Sequence, residues 1–316
     1  MVMRWVAVLP ELVLAVALAL AFGATLLARG PAGLVSRAAW VGGAAGAFAA
    51  AVLTHGAADD FLFAAYRVDP YTQFVKAVVS AGALVAALAA RGEGGSFVGA
   101  RVTGPFLRLA ALTTLIAAAS AADLLVLWIL LELVAVAHVA ALATEGRWSA
   151  NAALVRRAVA GWLPTALVLG LGVVLTGAEA ETLRLPDLEG IAPNPGVALV
   201  LLAILVRAGT APVTAARALL TGEESAPLTA LSGASWILLV AVAVRVAVLN
   251  APGPQAWATV ALVALGTVPG ALLISASAGR GSSPTGRRPS WIGVVAGVVL
   301  ALATVPWALA AARALP

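Results

Sequence analysis

Four ionisable side chains in this 316-residue sequence stand inside long apolar runs, away from the predicted boundaries: Lys76, Glu132, Arg207 and Arg245; His138, nearer a span end where water can reach it, is a fifth candidate. Placing a charge near the centre of a bilayer costs at least about 2.5 kcal/mol by insertion scales, so such residues mark ion pairs, or paths for protons and ions. Glu132 follows Asp123 by nine residues. That is about 13 Å of helix rise, which sets it halfway along its run and in need of a cation or a proton. Arg207 is the obvious partner. It heads Arg207-Ala208-Gly209-Thr210-Ala211-Pro212, and a glycine followed by a proline inside a long apolar segment predicts an interrupted helix. The break is placed at Gly209 and Pro212. His138 lies six residues beyond Glu132, about 600° of helical turn, so it points to a face roughly 120° away and joins no common ligand set with the glutamate. It suits either a proton relay near neutral pH or a hydrogen bond between helices. Lys76, close to the start of its run, is expected to snorkel outward. Arg245 is deep enough to want a carboxylate and is expected either to compete for Glu132 or to reach the outer surface.

The elements that position these groups follow from hydropathy. With 62% hydrophobic and 10% charged residues and a mean hydropathy of +1.04, too few polar side chains remain to coat a soluble globule, which excludes a nucleotide-binding or hydrolase domain. Windows of about 19 residues predict an all-α polytopic membrane protein of about ten spans. They fall at 8–28, 38–54, 70–90, 105–121, 123–142, 158–177, 196–220, 227–249, 256–277 and 291–311. The first is read as a retained span, because no small-residue cleavage site follows it. Arg29, Arg37, Arg91, Arg101, Arg147, Arg156, Arg157, Arg280, Arg287 and Arg288 fall in odd-numbered connections and Arg217 in the last turn leading into one, whereas the second and sixth connections are acidic. The positive-inside rule then puts both termini outside. Trp5, Trp40, Trp148, Trp257 and Trp291 sit at predicted span ends, where an indole can anchor among headgroups. Gly42 and Gly46 offer a small-xxx-small face for close helix packing.

The sequence has no cysteine, which removes disulfides, thiolate nucleophiles and iron–sulfur or zinc-thiolate sites. Its formal net charge of +5 does not point to nucleic acid, since the arginines are scattered singly through the loops.

The order and spacing of these features resemble subunit N of respiratory NADH–quinone oxidoreductase (complex I) and, more distantly, the antiporter-like subunits of cation antiporters and membrane-bound hydrogenases. Leu9-Pro10-Glu11-Leu12 resembles that subunit's start. Asp69 through Phe74 with Lys76 resembles the aspartate and lysine that open span three, and Ser120-Ala121-Ala122-Asp123-Leu124-Leu125 with Glu132-Leu133-Val134 resembles the span-five signature. Ser149 through Leu154 continues the similarity. Arg207 through Pro212 resembles the broken seventh helix, with Arg207 at a lysine position, and Ser225 through Ser232 resembles the approach to span eight, on which Arg245 also has a counterpart. Trp236 stands where the family carries a proton-path lysine, and Thr214 where it carries a histidine.

The resemblance implies a single transmembrane domain over 1–316: spans one to three at 8–90, one antiporter-like five-helix unit at 105–249, and extra spans at 256–311, with most of a second unit missing. It implies a bacterial inner-membrane location, partner membrane subunits, and no cofactor or metal in this chain, with NADH, FMN, iron–sulfur clusters and quinone confined to partner subunits. Because a guanidinium does not give up its proton in the working range, Arg207 can pair with Glu132 but cannot relay a proton as lysine does. The expected function is a non-redox, proton-translocation-type subunit whose own conduction is weakened or lost. The alternatives are a stand-alone ten-helix solute or cation transporter, which needs an internal repeat that the two halves do not display, and a purely structural membrane scaffold.

Overall fold

The structure, a computed structural model, describes residues 2–27, 32–62, 64–89, 98–144, 148–188, 194–204, 206–207 and most of 234–246. Helix α1 (Val2–Ala7) leads into α2 (Leu9–Leu27) and α3 (Ala32–Leu53). An antiparallel hairpin follows, β1 (Asp59–Phe61) and β2 (Tyr66–Val68), with Asp60 opposite Arg67. Helices α4 (Pro70–Ala89), α5 (Val98–Ala119), α6 (Leu124–Thr144) and α7 (Trp148–Ala180) come next. A 3-10 turn at Leu185–Leu188 precedes α8 (Pro195–Ile204), with Val206 and Arg207 also helical, and residues 234–246 are helical where described. Five of these helices are long and apolar enough to cross a bilayer, and α5 carries a shorter apolar stretch, Thr103–Ala119. The chain is a multi-pass, predominantly helical membrane protein.

The local sequence explains where the helices start. Asp69 caps α4 through Oδ1, which accepts from Thr72 N–H at 2.7 Å, while Thr72 Oγ1 accepts from Asp69 N–H at 2.9 Å. Pro70 follows at the first helical position, where a missing N–H is harmless. Asn194 repeats this arrangement before Pro195, accepting from Gly196 and Val197 N–H, and Asp123 caps α6 by accepting from Leu125 and Val126 N–H. Each cap satisfies amide donors that lipid could not.

The interior mixes small residues, Ala17, Ala21, Ala44, Ala47 and Ala86 among them, with buried Leu14, Leu109, Leu112 and Ile116, while Val16, Leu20, Leu167, Leu171 and Val174 are exposed. This is the expected distribution where lipid solvates large side chains and close backbone approach supplies the packing. Gly43 and Gly46 carry the α2–α3 contact: a Cβ at Gly43 would meet Ala17 Cβ at 2.7 Å and one at Gly46 would meet Val13 Cγ1 at 2.8 Å, whereas Gly42 has nothing within 4 Å. The close-packing face is therefore shifted by one residue from the Gly42/Gly46 pattern. Gly43→Val is expected to cost about 1–3 kcal/mol. Gly42→Val should stay within about 0.5 kcal/mol of the native chain. Thermal denaturation of the two variants in detergent distinguishes these sites, and equal losses would contradict the assignment.

The connections expected on one side of the membrane do meet. Arg67 N–H donates to Ser120 C=O, Ala122 N–H to Ala65 C=O, Leu124 N–H to Leu183 C=O and Leu185 N–H to Ala122 C=O. The hairpin, the α5–α6 link and the segment after α7 thus lie together as one extended plate, which requires the intervening spans to alternate in direction. Each of the first six predicted spans coincides with a helix, five of them long and apolar enough to cross. Two helices start earlier than hydropathy alone implies, α3 at Ala32 and α7 at Trp148, so Arg37, Arg156 and Arg157 lie on helices rather than in loops. A helix need not stop where the hydrocarbon does, because arginine extends along it toward water. Trp40 is consequently no headgroup anchor. It is 2% exposed, and the Arg108 guanidinium lies 4.9 Å from its ring centroid. Trp5, 63% exposed, has the exposure that an interfacial residue needs. Gly209, Pro212, Thr214, Trp236 and the two spans expected within 256–311 lie outside the described residues.

Candidate functional site

Glu132 is the ninth residue of α6, about 12 Å along the helix from its capped start, so it sits near the middle of the span. Helix α7 runs antiparallel beside it. Gly170 leaves room for the Trp128 indole, since a Cβ there would come within 2.9 Å of Trp128 Cζ2. One turn further along α6, and on the same face, Glu132 meets Trp162. Pro164, inside α7, has no N–H for the carbonyl four residues back. Trp162 and Thr165 flank it and, three residues apart, project to one side of the helix. Helix α8, entered through its Asn194 cap, carries Arg207 to the same depth.

Four residues form a closed circuit there. Arg207 Nη2 donates to Glu132 Oε1 at 2.6 Å, and Arg207 Nε donates to Thr165 Oγ1 at 2.9 Å. The Thr165 hydroxyl donates to the Trp162 carbonyl at 2.7 Å, and the Trp162 indole N–H donates to Glu132 Oε2. Each carboxylate oxygen has a directed donor, and the guanidinium reaches the acid and the hydroxyl at once, as a planar fork can and an ammonium cannot. A part-buried pair whose two carboxylate oxygens both have donors is held rigidly. Its chemistry is electrostatic: two opposite charges fixed at mid-depth.

The remaining candidates go elsewhere. Arg245 neither competes for Glu132 nor reaches outward; its Nη1 donates to Ala119 C=O and Ala121 C=O, both at 3.3 Å. It thereby neutralises carbonyls at the C-terminal end of α5, where a cation also suits the helix dipole. Tyr71 ties the same segment down by donating to Ala241 C=O at 2.8 Å. His138 is half-buried on α6 and, among the described residues, has no bond to Glu132.

Lys76 does not snorkel. It is 0% exposed, and its Nζ lies 2.5 Å from Glu11 Oε1. The Tyr66 hydroxyl donates to the same oxygen, and the Tyr66 ring centroid is 5.6 Å from Nζ. Gln73, one turn before Lys76, donates to Ala7 C=O at 2.7 Å and fastens α1 to α4. Burial, reinforced by the Glu11 carboxylate, pushes the Tyr66 phenol well above its ordinary value, so it remains a donor. Sequence reading attached no partner to Lys76 because Glu11 lies at the start of the first span, where an acid normally reads as solvated. Trp162, Thr165, Tyr66 and Arg108 were likewise not singled out. An arginine buried against an aromatic leaves no periodic signal, and hydroxyl and indole groups signal nothing until a charge faces them. Among the described residues no group of three or more metal-ligating side chains forms a metal site.

No family model matches the sequence, and no curated protein is similar to it. Solved structures do share the fold. A chain of the Mrp complex from Dietzia sp. DQ12-45-1b superposes with a TM-score of 0.67 at 19% identity, covering 95% of this chain and 62% of that one. A chain of the membrane-bound sulfane sulfur reductase, an archaeal respiratory membrane complex, gives 0.63 at 15% identity, over 95% and 54%. A chain of respiratory complex I from Thermus thermophilus with bound aureothin gives 0.51 at 17% identity, over 95% and 88%. This chain thus spans between a half and two thirds of the length of the first two neighbours. The fold is shared with chains of these membrane complexes.

Proposed function

We propose that the chain is an antiporter-like, proton-translocation-type membrane subunit of a complex-I-like NADH–quinone oxidoreductase, of the subunit N kind, that no longer conducts protons well by itself. The observation that carries this is the Glu132–Trp162–Thr165–Arg207 circuit, set at mid-span in a fold shared with chains of respiratory membrane complexes. In place of an amine that can lose its proton, the pair offers a guanidinium that stays charged, so it biases the field along the span without passing protons. Neighbouring membrane subunits would carry the flux, and cofactors would reside with redox partners. The arginine distribution favours both termini outside, and the resemblance to complex I subunits favours a bacterial inner membrane.

The test is proton flux in proteoliposomes containing the purified chain. Flux is expected to stay at the leak of protein-free vesicles, with Glu132→Gln no different from the native chain. Robust flux abolished by Glu132→Gln would show an intact conductor and overturn the reading.

A further inference from the structure

Of the 19 lysines and arginines in the sequence, 18 are arginine. Wherever the chain needs a fixed positive charge, at its connections, over Trp40 or against Glu132, it uses a guanidinium. The sole lysine, Lys76, is the fully buried cation held against Glu11. An arginine would supply the same charge and more donors. What lysine alone adds is an amine that can exist with or without its proton.

We propose that Glu11, Lys76 and Tyr66 form a proton-exchange site that loads and unloads at the face carrying the hairpin. In the exchange, the N–H bond at Lys76 Nζ breaks and an O–H bond forms at Glu11 Oε1 across 2.5 Å. One proton moves and no electron does. Ion pair and neutral pair have the same total charge, so the transfer buries no net charge. Glu11 then gives up that O–H proton to the hairpin side, leaving an amine beside a carboxylate, and uptake of one proton from the same side re-forms the Lys76 ammonium, so one proton is released and one taken up per cycle. Three features of the geometry support this. Glu11 and Lys76 are the third and seventh residues of α2 and α4, helices that both start at the plate of connections, so the pair lies about two turns or less from that face. Tyr66, on β2 of that plate, donates to the acceptor oxygen itself and is neighboured by Ser120. Around the pair the network is unsaturated: Glu11 Oε2, Gln73 Oε1 and Ser80 Oγ are buried without a hydrogen-bond partner among the described residues, and Lys76 Nζ has its ion pair with Glu11 but no further hydrogen bond there, so acceptors stand ready for a displaced proton. In the Glu132 circuit, by contrast, each carboxylate oxygen has a donor.

The other ionisable groups around Lys76 are engaged elsewhere or distant. Asp69, at the start of α4, is committed to capping, and Arg245, from the 234–246 helix, holds the end of α5. Helix α3 carries Arg37 near its opposite end and is followed by His55. Exchange at one face needs no path through the bilayer, so the inference stands whether or not the chain conducts, and the vesicle flux experiment does not decide it.

Because the sequence has one lysine, the full-length chain labelled with 15N-lysine in lipid nanodiscs gives a single side-chain nitrogen signal. That signal is expected to move reversibly between its ammonium and amine positions across the pH range in which the backbone spectrum stays native. Tyr66→Phe, which leaves both charges in place, is expected to displace the midpoint. Lys76→Arg should remove about one titrating proton per chain from a pH-jump count. An ammonium signal at every pH at which the fold holds, in both the native chain and Tyr66→Phe, overturns the proposal and makes the pair a structural pin. A midpoint unmoved by Tyr66→Phe overturns the place given to the phenol.

Discussion

Arg207→Leu is expected to destabilise the folded chain by about 3–5 kcal/mol, because it leaves the Glu132 carboxylate buried at mid-span without its counter-ion. The decisive quantity is what a second change does. With Glu132→Leu added, no charge remains to be stranded, and most of the loss should return. A deficit of about 1 kcal/mol is expected to persist, since the Trp162 indole N–H loses its acceptor when the acid goes. Glu132→Leu alone orphans the guanidinium and should cost about as much as Arg207→Leu. Reversible unfolding of the four proteins in mixed micelles gives the coupling directly, and two side chains 2.6 Å apart should couple by well over the few tenths of a kcal/mol seen between independent sites. Single effects that simply add would mean that the pair does not meet in the bilayer.

The second large effect is expected at Gly196, eleven residues before Arg207. A Cβ there would stand 2.4 Å from Thr176 N and 2.7 Å from Gly172 O, and one at Gly172 would come within 2.8 Å of Gly196 O. Two backbones touch at this crossing of α7 and α8, and neither obstruction is a side chain that can swing aside. Gly196→Val is therefore expected at the upper end of overpacking costs, about 3 kcal/mol or more. It should also act at a distance, because α8 carries Arg207 three turns further on and a displaced helix withdraws the guanidinium from Glu132. Gly161→Val, at an exposed position with nothing within 4 Å, should be nearly silent. A thermal midpoint unchanged by Gly196→Val would mean that α7 and α8 do not pack as described. If the crossing does set the pair, Gly196→Val should also shrink the coupling between Glu132 and Arg207.

The two buried pairs differ in how much of each the sequence displays. Glu132 and Arg207 could be matched beforehand because each is an isolated charge deep inside an apolar run, and the cost of burial leaves few ways to satisfy either. Their fixing groups, Trp162 and Thr165, could not. An indole and a hydroxyl are cheap enough in a span to occur without purpose, so only the helix crossing gives them a role. Lys76 was misread as a snorkelling residue because depth was counted along its own helix. Glu11, Tyr66 and the hairpin enclose it from the side, and nothing in spacing along α4 reports that enclosure. Arg245 shows the same limit: its partners are carbonyls at the end of another helix, groups that every residue possesses.

Composition and hydropathy by themselves determined that the chain crosses a membrane repeatedly, the order of its first six spans, and which ions must be paired or protonated there, because a bilayer penalises each unsatisfied charge and backbone group individually. Tertiary structure alone decided which partner each ion received, and that Gly43 rather than Gly42 admits a neighbour. It also placed the lone lysine between an acid and a phenol near the hairpin face. Those outcomes depend on how helices rotate and cross, and in lipid that is settled by close packing of small residues, for which hydrophobicity carries no directional signal.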